Sequence, residues 1–199
     1  VTTRGATALA NTFRRVVDLA LGSVLFVATL PLLVAATAAV VLESRGAPWI
    51  RQKRVGKDGR IFHMLKIRSM RADAEAGTGP RLAEPNDERL TRLGPFLRKT
   101  RIDELPQLLL VLTGSMSLIG PRPERPEFVA RYEKEVPAYR LRHMLKPGLT
   151  GLAQVMGVYA TKTDVKLRYD LGYLFHWNPF LDGFILVRTV STVLRGTGV

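Results

Sequence analysis

The sequence predicts a mainly helical α+β fold, in which a membrane-bound N-terminal helix precedes a small β-hairpin and a body with amphipathic helices at its surface. Three observations carry this. Val16 to Leu42 is apolar apart from Asp18 and small polar side chains, a run longer than the ~20 residues a helix needs to cross a bilayer. Short apolar runs flank Lys57-Asp58-Gly59, and Asp-Gly between such runs marks a hairpin turn. Further along, apolar residues recur at helical spacing between Pro and Gly punctuation.

The apolar segment has two informative features. Pro31 falls near its middle, where a missing donor kinks or breaks a helix. Both flanks are basic, with Arg14 and Arg15 before it and Arg45, Arg51, Lys53 and Arg54 after it. Because Lys and Arg concentrate on the cytoplasmic side, two basic flanks point to both ends lying on one side. A helix broken at Pro31 that enters and leaves one leaflet satisfies both features; a straight crossing helix with a tolerated proline is the other reading. Residues 1–46 are therefore expected to carry the membrane helix, at about 14–42, and residues 47–199 a body at the membrane surface.

Composition narrows the partners. The 199 residues hold 30 Lys and Arg against 17 Asp and Glu, a net charge of +13, which suits nucleic acid, anionic lipid or phosphorylated small molecules. No recognition-helix pattern or aromatic RNA-binding motif supports nucleic acid. The chain has no cysteine, which excludes disulfides, thiol nucleophiles and cysteine-ligated metals. His63, His143 and His176 lack metal-ligand spacing.

The hairpin of residues 49–70 is expected to bring Arg54, Lys66 and Arg68 near one another, as a solvated basic face or a phosphate-facing set. Residues 71–88, with Gly77, Gly79, Pro80 and Pro85, read as a loop and a candidate cover for a site. A helical stretch from about Glu88 to Arg98 is interrupted near Gly94-Pro95. The next helix is expected to open at Asp103 and run through Leu105, Leu108 and Leu112 to Gly114. Asp103 would be its N-cap, with Pro106 in the first turn and Thr100 as the alternative cap. Met116 and Leu118 are expected in the core. Residues 125–145 read as an amphipathic helix interrupted at Pro137, and Phe180 to Arg195 as another, apolar enough to lie on a membrane.

The most informative stretch is residues 100–123. Asp103-Glu104 is flanked by Arg98 and Arg101 before and by Arg122 after, the last on the stiff turn Gly120-Pro121-Arg122-Pro123. Chemistry on a phosphate ester wants that mixture: a carboxylate to attack or hold a metal, and guanidiniums to neutralise phosphoryl oxygens. Acidic residues in a first helical turn also simply complement the helix dipole. The punctuated segment Lys146 to Gln154 offers Gly148, Thr150 and Gln154 either to a ligand or to a plain turn.

Taken together these motifs resemble the bacterial sugar transferase family of monotopic polyprenyl-phosphate phosphoglycosyl transferases. The resemblance covers nearly the whole chain. It includes the apolar segment with Pro31, Gln52-x-Arg54-x-Gly56-x-x-Gly59-x-x-Phe62, Lys66-Ile-Arg-Ser-Met70 and Asp103-Glu-Leu-Pro-Gln107. It continues through Met116-Ser-Leu-Ile-Gly-Pro-Arg-Pro123, Pro147-Gly-Leu-Thr-Gly-Leu-Ala-Gln-Val155 and Asp170-Leu-Gly-Tyr173. Leu110, Ser115 and Met156-Gly157-Val158 depart from residues common in the family.

The resemblance implies a re-entrant membrane helix broken at Pro31 and a catalytic domain on the cytoplasmic face of the bacterial inner membrane. It implies transfer of a sugar-1-phosphate from a UDP-sugar to undecaprenyl phosphate in a ping-pong reaction, as the first membrane step of a glycoconjugate or exopolysaccharide pathway. Asp103 would be the nucleophile and Glu104 the supporting carboxylate, the two also holding Mg²⁺. Arg98 and Arg122 match phosphate-contacting arginines, with Lys66 and Arg68 as further phosphate ligands. Pro121, Pro123, Gly148, Thr150 and Gln154 are candidates for the nucleotide-sugar loops. Anionic inner-leaflet lipid is an expected partner, and a homodimer is compatible with the sequence. The rival classes are a basic, membrane-anchored binding module and a nucleotide-sugar hydrolase.

Overall fold

The computed structural model describes residues 4–71, 73–75, 79, 81, 87–157 and 162–195. Much of the expected covering loop, including Gly77, Pro80 and Pro85, lies outside them. A single helix, α1, runs from Arg4 to Glu43 and contains Pro31. The expected break at Pro31 is absent: one lost backbone bond does not end a helix whose flanking turns keep theirs. One stripe of α1 faces the body along most of its length. Asp18, Gly22, Leu33, Ala36 and Val40 are buried on it, recurring at helical spacing. Val16, Val24, Val27, Leu30, Val34 and Val41 are exposed. By length and composition Leu9–Glu43 could cross a membrane.

The hairpin pairs β1 (Trp49–Val55) with β2 (Ile61–Ile67), antiparallel, with Gln52 opposite Met64 and Arg54 opposite Phe62. Its connection is a short 3₁₀ turn at Lys57–Gly59, with Asp58 at φ 55° and Gly59 at φ 75°; Asp and Gly tolerate that left-handed conformation best. The helix expected over Glu88–Arg98 is shorter. α2 spans Gly94–Lys99, so the Gly94-Pro95 pair begins the helix rather than interrupting it.

Beyond α2, Arg101 takes a left-handed backbone, φ 57°, and Ile102–Glu104 form a 3₁₀ turn before α3 (Gln107–Thr113). Asp103 therefore does not cap α3, contrary to expectation, because the reversal at Arg101 places it one turn earlier. Thr100 closes α2 instead, its Oγ1 donating to Phe96 O at 2.7 Å. At the far end of α3, Gly114 is left-handed (φ 83°). Arg15 of α1 donates to Val111 O at 2.7 Å and Leu112 O at 2.6 Å, satisfying carbonyls the helix end leaves free.

Periodicity and turn chemistry give no hint of a second, parallel pair: β3 (Ser117–Ile119) with β4 (Gly148–Thr150). It needs glycine, because a Cβ on Gly148 would stand 2.1 Å from Gly120 N. α4 (Pro126–Glu135) stops before Pro137, and a 3₁₀ segment follows over Pro137–Met144. α5 (Leu152–Met156), α6 (Thr163–Phe175) and α7 (Pro179–Arg195) complete the chain.

One core cluster joins Leu108, Val111, Met116, Leu118, Ile119, Tyr173 and Ile185. A second joins Leu33, Ala36 and Val40 of α1 to Ile67, Leu97 and Ile102. The apolar helix is thus part of the packing that positions residues 97–108, with the acidic pair between them. Phe180, Val187 and Val190 of α7 are exposed.

Candidate active site

Three elements converge on the acidic pair. The 3₁₀ turn supplies Asp103 and Glu104, β2 supplies Lys66, and the proline-flanked turn after β3 supplies Arg122. Glu104 Oε1 accepts from Lys66 Nζ at 2.8 Å and from Arg122 Nη2 at 2.6 Å. Its Oε2 accepts from Arg101 Nη1 at 3.2 Å. The left-handed backbone of Arg101 sets its guanidinium back over Glu104, a conformation that costs a non-glycine residue ~1–3 kcal/mol and persists where its surroundings enforce it. Sequence reasoning counts Arg101 among the arginines flanking the pair but does not single it out as a partner of Glu104.

Asp103 is as deeply buried as Glu104, 5% against 6% exposed, and is treated differently. Its nearest partner is Lys66 Nζ at 3.7 Å; among the described residues its carboxylate accepts no hydrogen bond. Burial pushes the Asp103 carboxyl above its ordinary range, opposed by Lys66 and reinforced by the charge on Glu104; Arg98 and Arg122 pull it down. Burial alone would raise Glu104 too, but Arg122, Lys66 and Arg101 overcome it and hold that carboxyl well below its usual range. Glu104 in turn holds the Arg122 guanidinium above its ordinary value. The Arg122 side chain keeps 38% of its surface exposed, so donors remain for an incoming anion.

The other expected residues fall in several places. Arg98 sits in the last turn of α2, where its charge acts on Asp103. Arg68 is 4% exposed and donates to Arg45 O at 2.8 Å and to Ser44 O and Oγ at 2.9 Å. Its expected phosphate role gives way to closing the end of α1, since a guanidinium fork matches carbonyls left free beyond a helix end. Pro121 and Pro123 border a small open pocket with Arg122, Gly56, His143 and Pro147. Gly148 and Thr150 are in β4; the Thr150 hydroxyl meets Thr189 on α7 at 2.7 Å, and Gln154 Nε2 donates to Leu149 O at 3.0 Å. These contacts serve the packing of the β3–β4 pair.

No group of three His, Cys, Asp or Glu gathers among the described residues. A divalent cation would therefore draw on Asp103 and the remaining lone pair of Glu104 Oε2. That donor set fits Mg²⁺, which commonly takes one or two carboxylates and completes its shell with water and substrate phosphates.

A carboxylate with free lone pairs, beside one clamped by three cations, has the chemistry of a phosphate-ester site; here it is seated on a helix apolar enough for a membrane. Residues 9–196 match the family model described as bacterial sugar transferase, and the chain belongs to that family. It is 43% identical over 171 residues to the UDP-N-acetylgalactosamine-undecaprenyl-phosphate N-acetylgalactosaminephosphotransferase of Aeromonas hydrophila, covering 84% of this chain and 40% of the relative. It is 43% identical over 169 residues to the UDP-glucose:undecaprenyl-phosphate glucose-1-phosphate transferase of Xanthomonas campestris pv. campestris, covering 82% and 35%. With the protein of that same name from Caulobacter vibrioides it shares 41% over 186 residues, covering 91% and 69%. The chain thus spans well under half of the first two relatives and about two thirds of the third.

Proposed function

We propose that the chain is a phosphoglycosyl transferase that moves a sugar-1-phosphate from a UDP-sugar to undecaprenyl phosphate through a covalent aspartyl intermediate. The observation that carries this is the contrast within the acidic pair: Glu104 is clamped by three cationic donors, whereas Asp103 accepts no hydrogen bond among the described residues. In the first half-reaction an Asp103 oxygen attacks the phosphorus bearing the sugar. The bond from that phosphorus to the bridging diphosphate oxygen breaks, and UMP leaves. In the second, an oxygen of undecaprenyl phosphate attacks the same phosphorus and the bond to Asp103 breaks, giving the polyprenyl-diphosphate sugar and the free carboxylate.

Arg122, Lys66 and Arg98 neutralise the phosphoryl oxygens, without which a carboxylate would be repelled by its own substrate. Glu104 keeps Lys66 and Arg122 in place. Mg²⁺, held by Asp103 and Glu104 when bound, supplies further charge neutralisation for the departing nucleotide. The relatives' names support the donor and acceptor classes.

The same reading puts the protein on the cytoplasmic leaflet of the inner membrane, with α1 dipping into one side only. Both ends of α1 are fastened to one body, which supports this. Arg15 bonds α3 near the start; Trp49 Nε1 donates to Thr37 Oγ1 at 3.0 Å, and Leu93 N to Glu43 Oε1 at 2.9 Å, near the end. A crossing helix would put those contacts on opposite faces of a bilayer. The exposed apolar residues of α1 and α7 then meet acyl chains, and the basic surplus meets anionic lipid.

The test is UMP release by the purified protein in detergent with Mg²⁺, across UDP-sugars, with and without undecaprenyl phosphate. Mass spectrometry of the protein after donor alone adds a second readout. Lipid-dependent UMP release and a phosphosugar adduct on Asp103 are expected. Lipid-independent turnover without an adduct would make the protein a hydrolase.

A further inference from the structure

The turn that presents Arg122 hangs from its surroundings. Pro121 and Pro123 have no backbone N–H to offer, and the four carbonyls of residues 121–124 each accept from elsewhere. Pro121 O takes Gly148 N at 2.9 Å and Glu124 O takes Val55 N at 2.9 Å. Pro123 O takes Arg54 Nη1 at 3.3 Å. Arg122 O takes Arg142 Nη2 at 2.9 Å. Arg142 thus holds the backbone of the very residue whose guanidinium meets Glu104.

Arg142 is itself held. It is 4% exposed and its partner Asp170 is 2% exposed. Arg142 Nε and Nη2 each lie 2.8 Å from Asp170 Oδ2, and Nη1 donates to Tyr139 Oη at 2.5 Å. A planar fork with donors in fixed directions can satisfy all three neighbours at once, which a lysine ammonium on a flexible stem cannot do in the same geometry. Burying an ion pair is a poor route to stability compared with filling the space with apolar side chains, so this one calls for another reason. Asp170 opens the Asp170-Leu-Gly-Tyr173 motif, whose opening carboxylate the proposed chemistry does not use.

We propose that the buried Arg142–Asp170 pair is a positioning device for the reaction: Asp170 on α6 fixes the Arg142 guanidinium, and Arg142 fixes the Arg122 turn against Glu104. Neither residue touches substrate. The inference rests on the reading of Arg122 as a phosphate ligand, and the test separates the two.

The test compares Arg142→Lys, which keeps a charge opposite Asp170, with the neutral pair Arg142→Gln/Asp170→Asn. Each is made in the wild-type and in the Arg122→Ala background, and kcat/KM is read from UMP release with UDP-glucose and UDP-N-acetylgalactosamine. With Arg122 present, each is expected to lower kcat/KM about 10- to 100-fold, with the same division between kcat and KM as Arg122→Ala. Without Arg122, the further loss is expected to stay below about threefold, because residues acting through one group are not additive. Full losses in both backgrounds would make the pair structural and overturn the proposal. Wild-type activity of Arg122→Ala would instead overturn the reading of Arg122.

A structure of Arg142→Lys provides the readout that needs no turnover: Arg122 Nη2 is expected to leave Glu104 Oε1, and its retention there overturns the proposal. Whichever variant keeps the wild-type circular-dichroism spectrum is read. Loss of the fold in both would equally assign the pair to structure alone.

Discussion

Asp18 and Asp103 are buried to nearly the same degree, 4% and 5% exposed, in two regions that satisfy them very differently. At the junction of α1 with β3, Asp18 Oδ1 accepts from Ser117 Oγ at 3.0 Å and from Leu118 N at 2.8 Å. In the turn after α2, Asp103 has one cation at 3.7 Å and no hydrogen bond among the described residues. Burial therefore does not by itself distinguish a carboxylate engaged by hydrogen bonds from one left without them. What distinguishes them is whether the donors around each are spent on it. At Asp18 they are, and the apolar helix is pinned to the sheet. Beside Asp103 they are spent on Glu104.

The sharpest way to break this comparison is to remove the charge of each aspartate in turn. Asp103→Asn is expected to lower UMP release by about 10⁴-fold or more, since an amide cannot form the acyl phosphate and loss of a nucleophile removes the catalytic route as a unit. Turnover within tenfold of wild type would remove Asp103 from the mechanism. Asp18→Ala is the complementary change. It strands the Ser117 hydroxyl and the Leu118 amide, each costing ~1–3 kcal/mol when buried unpaired, so a loss of about 2–6 kcal/mol is expected in denaturant or thermal unfolding in detergent. The folded fraction should keep its kcat. An unchanged midpoint would mean that α1 is held by its apolar stripe alone.

A third change tests the clamp. Glu104→Gln leaves Lys66, Arg101 and Arg122 facing one another without their carboxylate. Stranding buried ion-pair partners costs ~3–5 kcal/mol; because Arg101 and Arg122 keep 28% and 38% of their side-chain surface, about 2 kcal/mol is expected here. The pH dependence has a definite sign. The folded-state pKa of Glu104 is depressed, so its stabilisation is complete above the ordinary glutamate value of ~4.3 and is lost as pH falls through the depressed one. The gap between wild type and Glu104→Gln should be widest near neutral pH and shrink in acid. A gap that does not depend on pH would show that the carboxylate is not what holds the three cations.

Much of this architecture is legible in the sequence, and what escapes has a common cause. The Asp58-Gly59 turn, the stop before Pro137, the long C-terminal helix and the core positions of Met116 and Leu118 all follow from local chemistry, which sequence carries directly. The partners of Asp18 lie 99 and 100 residues away, and β3 meets β4 through Ser117 and Gly148, far apart in the chain; periodicity carries no signal for either. Asp103 reads as a helix cap because Arg101 gives no hint of a left-handed backbone, a conformation that tertiary contacts must enforce. Arg68 reads from spacing as a partner of Lys66, yet its fork finds the end of α1. The acidic pair and its arginines stand out by residue type, whereas the division of labour between two adjacent carboxylates is a matter of which donor reaches which oxygen.

The smallest expected effect is also the most discriminating. The Asp103 pKa is raised in the folded protein, chiefly by burial, so folding is favoured by its protonation. Its contribution is fully present below the ordinary aspartate value of ~3.9 and is lost as pH rises through the raised one, which means that ionised Asp103 opposes folding at neutral pH. The amide that replaces it in Asp103→Asn is neutral throughout. That variant should therefore melt at or slightly above the wild-type temperature at pH 7, with the difference vanishing toward acid, although it is the least active one. The acid limb of kcat/KM in the wild type should lie above the ordinary carboxylate range, since it reports the same group in the free enzyme. A variant that melts lower at pH 7 would mean that Asp103 gains more from Lys66 than it loses to burial. The carboxylate would then be held by its neighbouring cation, and the lack of a hydrogen bond would not mark it as unsatisfied.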